Sequence, residues 1–387
     1  MDTPIGSCRL ARSATLTALV TLLAGCGGGY GSGGMSNTPT NTTITGAILP
    51  TLTTTTTIGS ALDPTEHGGN PYGLTVATAT MGLITAGDLI ACNFNDGAMT
   101  QGTGTTVIGL HPMAGAAAYR IAQSPELLGC SSLTSLPDGS LVATGSQMHD
   151  VVLISPAGNV STPFAADAFD EPWSVIYATH SGSAYVYVSN AMSGTIDRIA
   201  LNGDVQSSFT EEIASGFSFN KGVPGSISAP AGLTYDAAND TLYVVDTNTN
   251  LVVSLSNVSA IETKGVIVSS DTVSGATFSG ASAGSAKVIA SGGLLNGPIS
   301  GALLVNGDLV VGNTLDPAGT NLIIEISTST GQMVSKNVDT GAAGAIFGIV
   351  AVPKTITTMG AYGPINTQTN VIYFNDDNDN SVKLLAQ

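Results

Sequence analysis

The chain has 387 residues, of which 10 are Lys or Arg and 27 are Asp or Glu, giving a formal net charge of −17. That length can bury one large hydrophobic core or two ordinary ones, and a hydrophobic fraction of 43% excludes a wholly disordered chain. The shortage of cations excludes DNA and RNA as partners, and it requires any membrane attachment to come from something other than a basic face.

In chain order, Arg9 and Arg12 form a positive n-region, and residues 14–24 form an apolar segment too short to cross a bilayer as a stable helix. Leu23-Ala24-Gly25-Cys26 closes the segment, and these residues resemble the bacterial lipobox. The resemblance implies that residues 1–25 are a signal peptide and that Cys26 is acylated as the first mature residue. Small flanking residues and the glycine run behind Cys26 favour this over an ordinary secretory signal with a chance cysteine. Gly27 follows where Asp would hold a lipoprotein at the inner membrane, so the same resemblance implies the outer membrane of a Gram-negative envelope. The expected location is the cell envelope, with the lipid anchor as the membrane partner. Residues 26–47 are rich in Gly, Ser, Asn and Thr and read as a flexible linker, which leaves 48–387 as the folded domain.

With Cys8 removed and Cys26 acylated, Cys92 and Cys130 remain inside that domain. No CxxC or CxxCH run occurs, so haem and thiol chemistry have no support. The pair either forms a disulfide in an oxidising envelope or stays as two buried thiols.

From residue 48 onward, helical periodicity gives way to short β-branched and apolar runs bounded by Gly, Asn, Asp and Pro. One strand phrase recurs six times: Asp88–Asn93, Ser140–Gly145, Ala184–Ser189, Thr241–Asp246, Asp308–Asn313 and Asn370–Asn375. The copies are 44 to 67 residues apart, about one four-stranded blade each. Most follow a second strand that opens on Pro or Gly, as in Asn70-Pro-Tyr-Gly-Leu74, Glu171-Pro-Trp-Ser-Val175 and Ala229-Pro-Ala-Gly-Leu233. The expected fold is an all-β, six-bladed β-propeller, with an irregular β-sandwich as the alternative. Pro230-Ala-Gly-Leu-Thr-Tyr-Asp236 followed by Leu242-Tyr-Val-Val-Asp-Thr-Asn248 resembles an NHL repeat, a resemblance that extends more weakly over residues 70–387.

Ser381–Gln387 can supply only the third strand of the last blade, whereas Leu49–Ile58 has strong β propensity and precedes the first. That N-terminal strand is expected to close the ring. Longer excursions at Glu212–Ser228 and Glu262–Asn296 interrupt the repeat, and the second is long enough for an extra hairpin over one face.

The sequence carries no P-loop and no HExxH, and the histidines at 67, 111, 149 and 180 are scattered. Asp and Asn gather at the turns after the repeated strand, from Asn95-Asp96 to the run Asn375–Asn380. Such oxygens can ligate Ca²⁺, but turn chemistry accounts for them more simply. The enzyme alternative is a metal-dependent hydrolase of the lactonase or gluconolactonase type, a family that uses a six-bladed propeller with a metal in its channel; Glu171 and Asp246 are the carboxylates that would remain for it. The family's ligand Asn after the strand-opening Pro is replaced here by Tyr72, Trp173, Ala231 and Ile299, with Phe347 at the sixth blade. Tyr72, Trp173 and Phe347 are therefore candidate ligand-binding residues at a channel mouth, unless they serve first as core between blades. The function expected from this pattern is a non-catalytic binding or interaction module for a protein or small ligand.

Overall fold

Runs of Val, Ile, Leu, Tyr and Thr punctuated by Gly, Asn and Asp pleat into six sheets in the computed structural model, which describes residues 44–387 apart from 165–167, 202–208, 223, 225–227, 272–274, 315–320 and 362. The signal segment, Cys26 and most of the linker lie outside the described residues.

A strand β1 (Thr54–Ser60) stands first. One sheet then runs β2 (Gly69–Val76), β3 (Leu89–Asn95), β4 (Thr106–Leu110), β5 (Tyr119–Gln123), and the next β6 (Leu133–Ser135), β7 (Leu141–Gly145), β8 (Asp150–Ile154), β9 (Val160–Ser161). The third is β10 (Pro172–His180), β11 (Ser183–Asn190), β12 (Thr195–Leu201), β13 (Phe209–Ser215), extended by β17 (Val266–Asp271) and β18 (Gly275–Ser279). The fourth is β14 (Pro230–Asp236), β15 (Thr241–Asp246), β16 (Leu251–Ser256), β19 (Ala286–Ser291), and the fifth β20 (Pro298–Leu303), β21 (Leu309–Asn313), β22 (Asn321–Ile326), β23 (Met333–Asp339). The last sheet is ordered β1, β26 (Ser381–Ala386), β25 (Gly363–Asp376), β24 (Ile346–Gly360).

One strand of each sheet meets its counterpart in the next: β2 touches β6, then β10, β14, β20 and β24 follow, and β24 returns to β2. This is a β-propeller whose inner strands form a closed ring. The repeated phrase seen in the sequence is the second strand of every blade.

Inner strands can approach only where side chains are small. The position after Tyr72, Trp173, Ala231, Ile299 and Phe347 is Gly73, Ser174, Gly232, Ser300 or Gly348, and Ser132 holds the same place just ahead of β6. A Cβ on Gly348 would lie 2.6 Å from Leu74 Cβ and 2.7 Å from the Tyr72 carbonyl oxygen, so β24 and β2 meet nearly backbone to backbone. Where Ser replaces Gly, its hydroxyl bonds the neighbouring blade: Val175 N–H donates to Ser132 Oγ at 3.2 Å, Leu233 N–H donates to Ser174 Oγ at 3.3 Å, and Ser300 Oγ donates to the Phe347 carbonyl. These bonds tie the backbone of one inner strand to a side chain of the next.

The N-terminal strand completes the last blade, pairing antiparallel with β26 from Thr54 opposite Ala386 to Ser60 opposite Ser381. It begins later than its β propensity implies. Pro50 has no N–H to give to a ladder, and Leu49–Thr51 instead form a 3-10 turn that buries Leu49. The turn is pinned by Glu325 of β22, whose two carboxylate oxygens accept from the Ile48 and Leu49 N–H groups at 3.0 and 2.7 Å.

Cys92 of β3 and Cys130, just ahead of β6, are joined as a disulfide with Cα atoms 5.6 Å apart. Both are fully buried, so the bond staples the first blade to the second beneath the ring. The excursion at 262–296 departs from the expected hairpin over one face. Its β17 pairs parallel with the free edge of β13, Ala214 opposite Val266, so the hairpin widens the third blade outward. Arg198 ties down the approach to it, donating to the carbonyls of Val258, Ser259 and Ile261 at 3.0, 2.6 and 3.1 Å.

Candidate functional site

The six inner strands enclose a central cavity of about 380 Å³. Its wall alternates aliphatic side chains, among them Leu74, Leu133, Leu233 and Ile349, with the hydroxyls of Thr75, Ser132, Ser174, Thr234 and Ser300. Among the lining residues there is no Asp, Glu, His, Lys or Arg. Thr234 Oγ is buried in this wall and has no hydrogen-bond partner among the described residues. A buried hydroxyl without a partner carries its full desolvation penalty, roughly 1–3 kcal/mol.

One end of the cavity is closed by aromatic rings. Tyr72, Trp173 and Phe347, singled out from separate blades, do converge, but as a stacked plug and not as an open rim. Tyr72 lies flat against Phe347 at 3.8 Å between centroids and against Phe94 at 4.3 Å, and the Trp173 indole is tilted 5.8 Å from both Tyr72 and Phe94. Ala231 and Ile299 complete this buried cluster, and burial pushes the Tyr72 phenol well above its usual range. The physical reason is area: rings meeting on the axis remove more apolar surface from water by stacking on one another than by facing solvent. Phe94 escaped the sequence reading because it sits in the second strand; its place one residue past the repeated phrase was the available signal.

The opposite end is open. Thr75, Val76, Ile176, Tyr235, Leu303 and Ala351 are half-buried there, whereas the residues at the plugged end are buried. The cavity is therefore a cup, floored by Tyr72, Trp173 and Phe347 and entered from the ends of the inner strands.

The two carboxylates considered as metal ligands lie elsewhere, and neither lines the cavity. Asp246 is consumed by its own turn: Oδ1 accepts from the Asn248 N–H at 2.9 Å, and Oδ2 accepts from Thr249 Oγ at 2.6 Å. Burial raises its pKa to about 6. Glu171 precedes Pro172 in a left-handed conformation, φ 55°, the same turn that Asn70 makes ahead of Pro71. Its Oε1 accepts from Gln147 Nε2 at 2.8 Å, and burial shifts its carboxyl upward. No three His, Cys, Asp or Glu side chains are close enough to share a metal ion among the described residues. The remaining Asp and Asn turns behave likewise, with Asp96 accepting from the Ala98 and Thr100 N–H groups and Asp376 accepting from Asn378 N–H at 3.0 Å.

No protein-family model matches the chain, and no curated protein does. Solved structures do. A gluconolactonase from Xanthomonas campestris is 12% identical, with 84% of this chain and 88% of that one covered at a TM-score of 0.51. A virginiamycin B lyase from Staphylococcus aureus, solved as a catalytically inactive variant with quinupristin, is 15% identical over 84% of this chain and 97% of that one, at 0.47. A nidogen/laminin complex contains a chain 14% identical, covering 73% of this chain and 85% of its own, at 0.49. The likeness is one of fold. Propellers carry unrelated functions on the same scaffold, so the function must be argued from the cup.

Proposed function

We propose that the chain is an exported binding module, held at the cell envelope by acylated Cys26 behind a 1–25 signal, which takes a small, uncharged and largely apolar ligand into the central cup. One observation carries the reading: a cavity assembled from six blades, apolar and hydroxyl-lined, with no charged side chain among the lining residues. Few convergent polar groups on an otherwise apolar concave wall are what fixes the orientation of such ligands. A charged substrate would find no counter-charge among the lining residues and would lose its hydration on entry. The metal-dependent hydrolase reading draws no support from the lining, since Glu171 bonds Gln147 and Asp246 bonds its own turn, both outside the cup.

The test is titration with the neutral dye Nile red, together with thermal unfolding in Ca²⁺ and in EDTA. Saturable dye fluorescence that Thr75→Trp abolishes by filling the open end, with a melting temperature indifferent to calcium and chelator, supports the reading. A calcium-dependent rise in melting temperature that Asp246→Asn removes would favour the hydrolase instead.

A further inference from the structure

Strands β24 and β25 outrun their blade. Pairing between β25 and β26 starts only at Ile372, opposite Leu385, yet β24 and β25 remain paired beyond it from Val352 opposite Val371 to Gly360 opposite Gly363. From Lys354 opposite Thr369 outward, the described side chains of β24 are exposed except Ile356, which is half-buried. Seven residue pairs at about 3.3 Å per residue make a free two-stranded ribbon of roughly 23 Å. It projects from the open end of the cup, the end at which every inner strand finishes.

The ribbon differs from the body in chemistry. In a chain of net charge −17, residues 353–370 hold one cation, Lys354, and no acid. Its tip exposes Met359 and Ile365, 81% and 55% accessible. Register places them on opposite faces, because Met359 pairs with Pro364 and Ile365 with Thr358. A ribbon made to lie down on a partner surface would gather its apolar residues on one side. One with apolar groups on both faces of its tip is suited to entering an apolar medium end-on.

The N-terminus arrives beside the ribbon. The β20–β21 turn holds both: Asn306 Nδ2 donates to the Gly46 carbonyl at 3.3 Å, and the neighbouring Val305 N–H donates to Asn370 Oδ1, at the ribbon's base, at 2.9 Å. A coil of the linker's Gly/Ser-rich composition between Cys26 and Ile44 spans roughly 25 Å, close to the ribbon's own reach.

We propose that the ribbon is a lipid-contacting prop: its tip, Met359 and Ile365, enters the membrane surface on which Cys26 is anchored and turns the open end of the cup toward the bilayer. This rests on the reading of Cys26 as the anchor, and the experiment separates the two. The chain from Cys26 onward is coupled through that thiol to a maleimide-headgroup lipid in phosphatidylcholine vesicles whose acyl chains are brominated, which sets the anchor chemically whatever the cell does. In this protein Met359→Trp adds an indole at the tip, while buried Trp173 on the far side of the cup serves as the internal reference. Ala98→Trp places the added indole on the exposed turn after β3, at the plugged face.

The expected result is a blue-shifted emission quenched by the brominated chains in Met359→Trp and no added quenching in Ala98→Trp. Equal quenching in both, or in neither, overturns the prop. A blue shift without bromine quenching, accompanied by cross-linking between anchored copies, would assign the ribbon to a second copy and also overturn it. The anchor is judged separately, by the mass of the protein from its own cells: a mass without acyl chains at Cys26 sinks the anchor reading and leaves the quenching result intact.

Discussion

Removing residues 48–60 takes away the 3-10 turn and β1, leaving β26 as an open edge and the last blade one strand short. Ile48, Leu49, Leu52 and Ile58 are 7%, 0%, 0% and 1% exposed, and burying four such side chains at about 2 kcal/mol each contributes roughly 8 kcal/mol. The Glu325 carboxylate would also lose the two amide donors of Ile48 and Leu49, about another 1–3 kcal/mol for buried acceptors left unmade. The sum, on the order of 10 kcal/mol, falls within the entire stability of an ordinary domain. A chain starting at Ala61 should therefore show no cooperative unfolding by near-ultraviolet circular dichroism. Leu49→Ala offers a graded version at about 3 kcal/mol. With roughly 0.7 kcal/mol/K of unfolding entropy for a domain of this size, it should lower Tm by about 4 °C. A truncated chain that melts where the full chain does would refute the closing role of β1.

Replacing both Cys92 and Cys130 with Ala removes a link across 38 residues, and the loop-entropy relation puts the loss near 4 kcal/mol. Thermal unfolding should move down by about 6 °C, and an unmoved midpoint would show that the staple between blades one and two is idle. Asp197 faces Glu212 across the β12–β13 ladder, and burial first, then that like charge, holds its pKa near 7 against 3.8 for the free side chain. As pH rises through this window the unfolded chain releases the proton before the folded one does, so stability falls toward pH 7 and stays lowered above it. Asp197→Asn keeps an acceptor for Asn190 Nδ2 and should raise Tm at pH 8 but not at pH 4; equal effects at the two values would contradict the assignment. At the β24–β2 seam, Gly348→Ala pushes a methyl against the Leu74 and Tyr72 backbone. It should destabilise by about 1–3 kcal/mol in urea unfolding, and a neutral outcome would mean that the inner strands are more loosely packed than described.

Much of the architecture is legible in local pattern. Alternation with period two, turn residues at blade intervals and a Thr-rich strand lacking a partner are properties of a few consecutive residues, and they foretold the propeller and the N-terminal strand that joins its last blade. Pro50 shows the limit of propensity, since one missing N–H moved the start of β1 to Thr54. The candidate site was legible only in its membership. Tyr72, Trp173 and Phe347 share a place in the repeat, but whether rings from blades one, three and six face solvent or one another depends on how the circle closes.

Closure is set by contacts of very long range, such as Asn375 Nδ2 donating to the Gly73 carbonyl at 2.9 Å across 302 residues, and Glu325 reaching Leu49 across 276. No window of sequence holds both partners of such a bond. The order of strands, their faces and the blade count follow from the free energy of each segment, which the chain carries locally. The absence of carboxylates from the lining of the cup and the meeting of the ribbon base with the segment around Gly46 at one turn follow from ring geometry, and only the folded chain decides them.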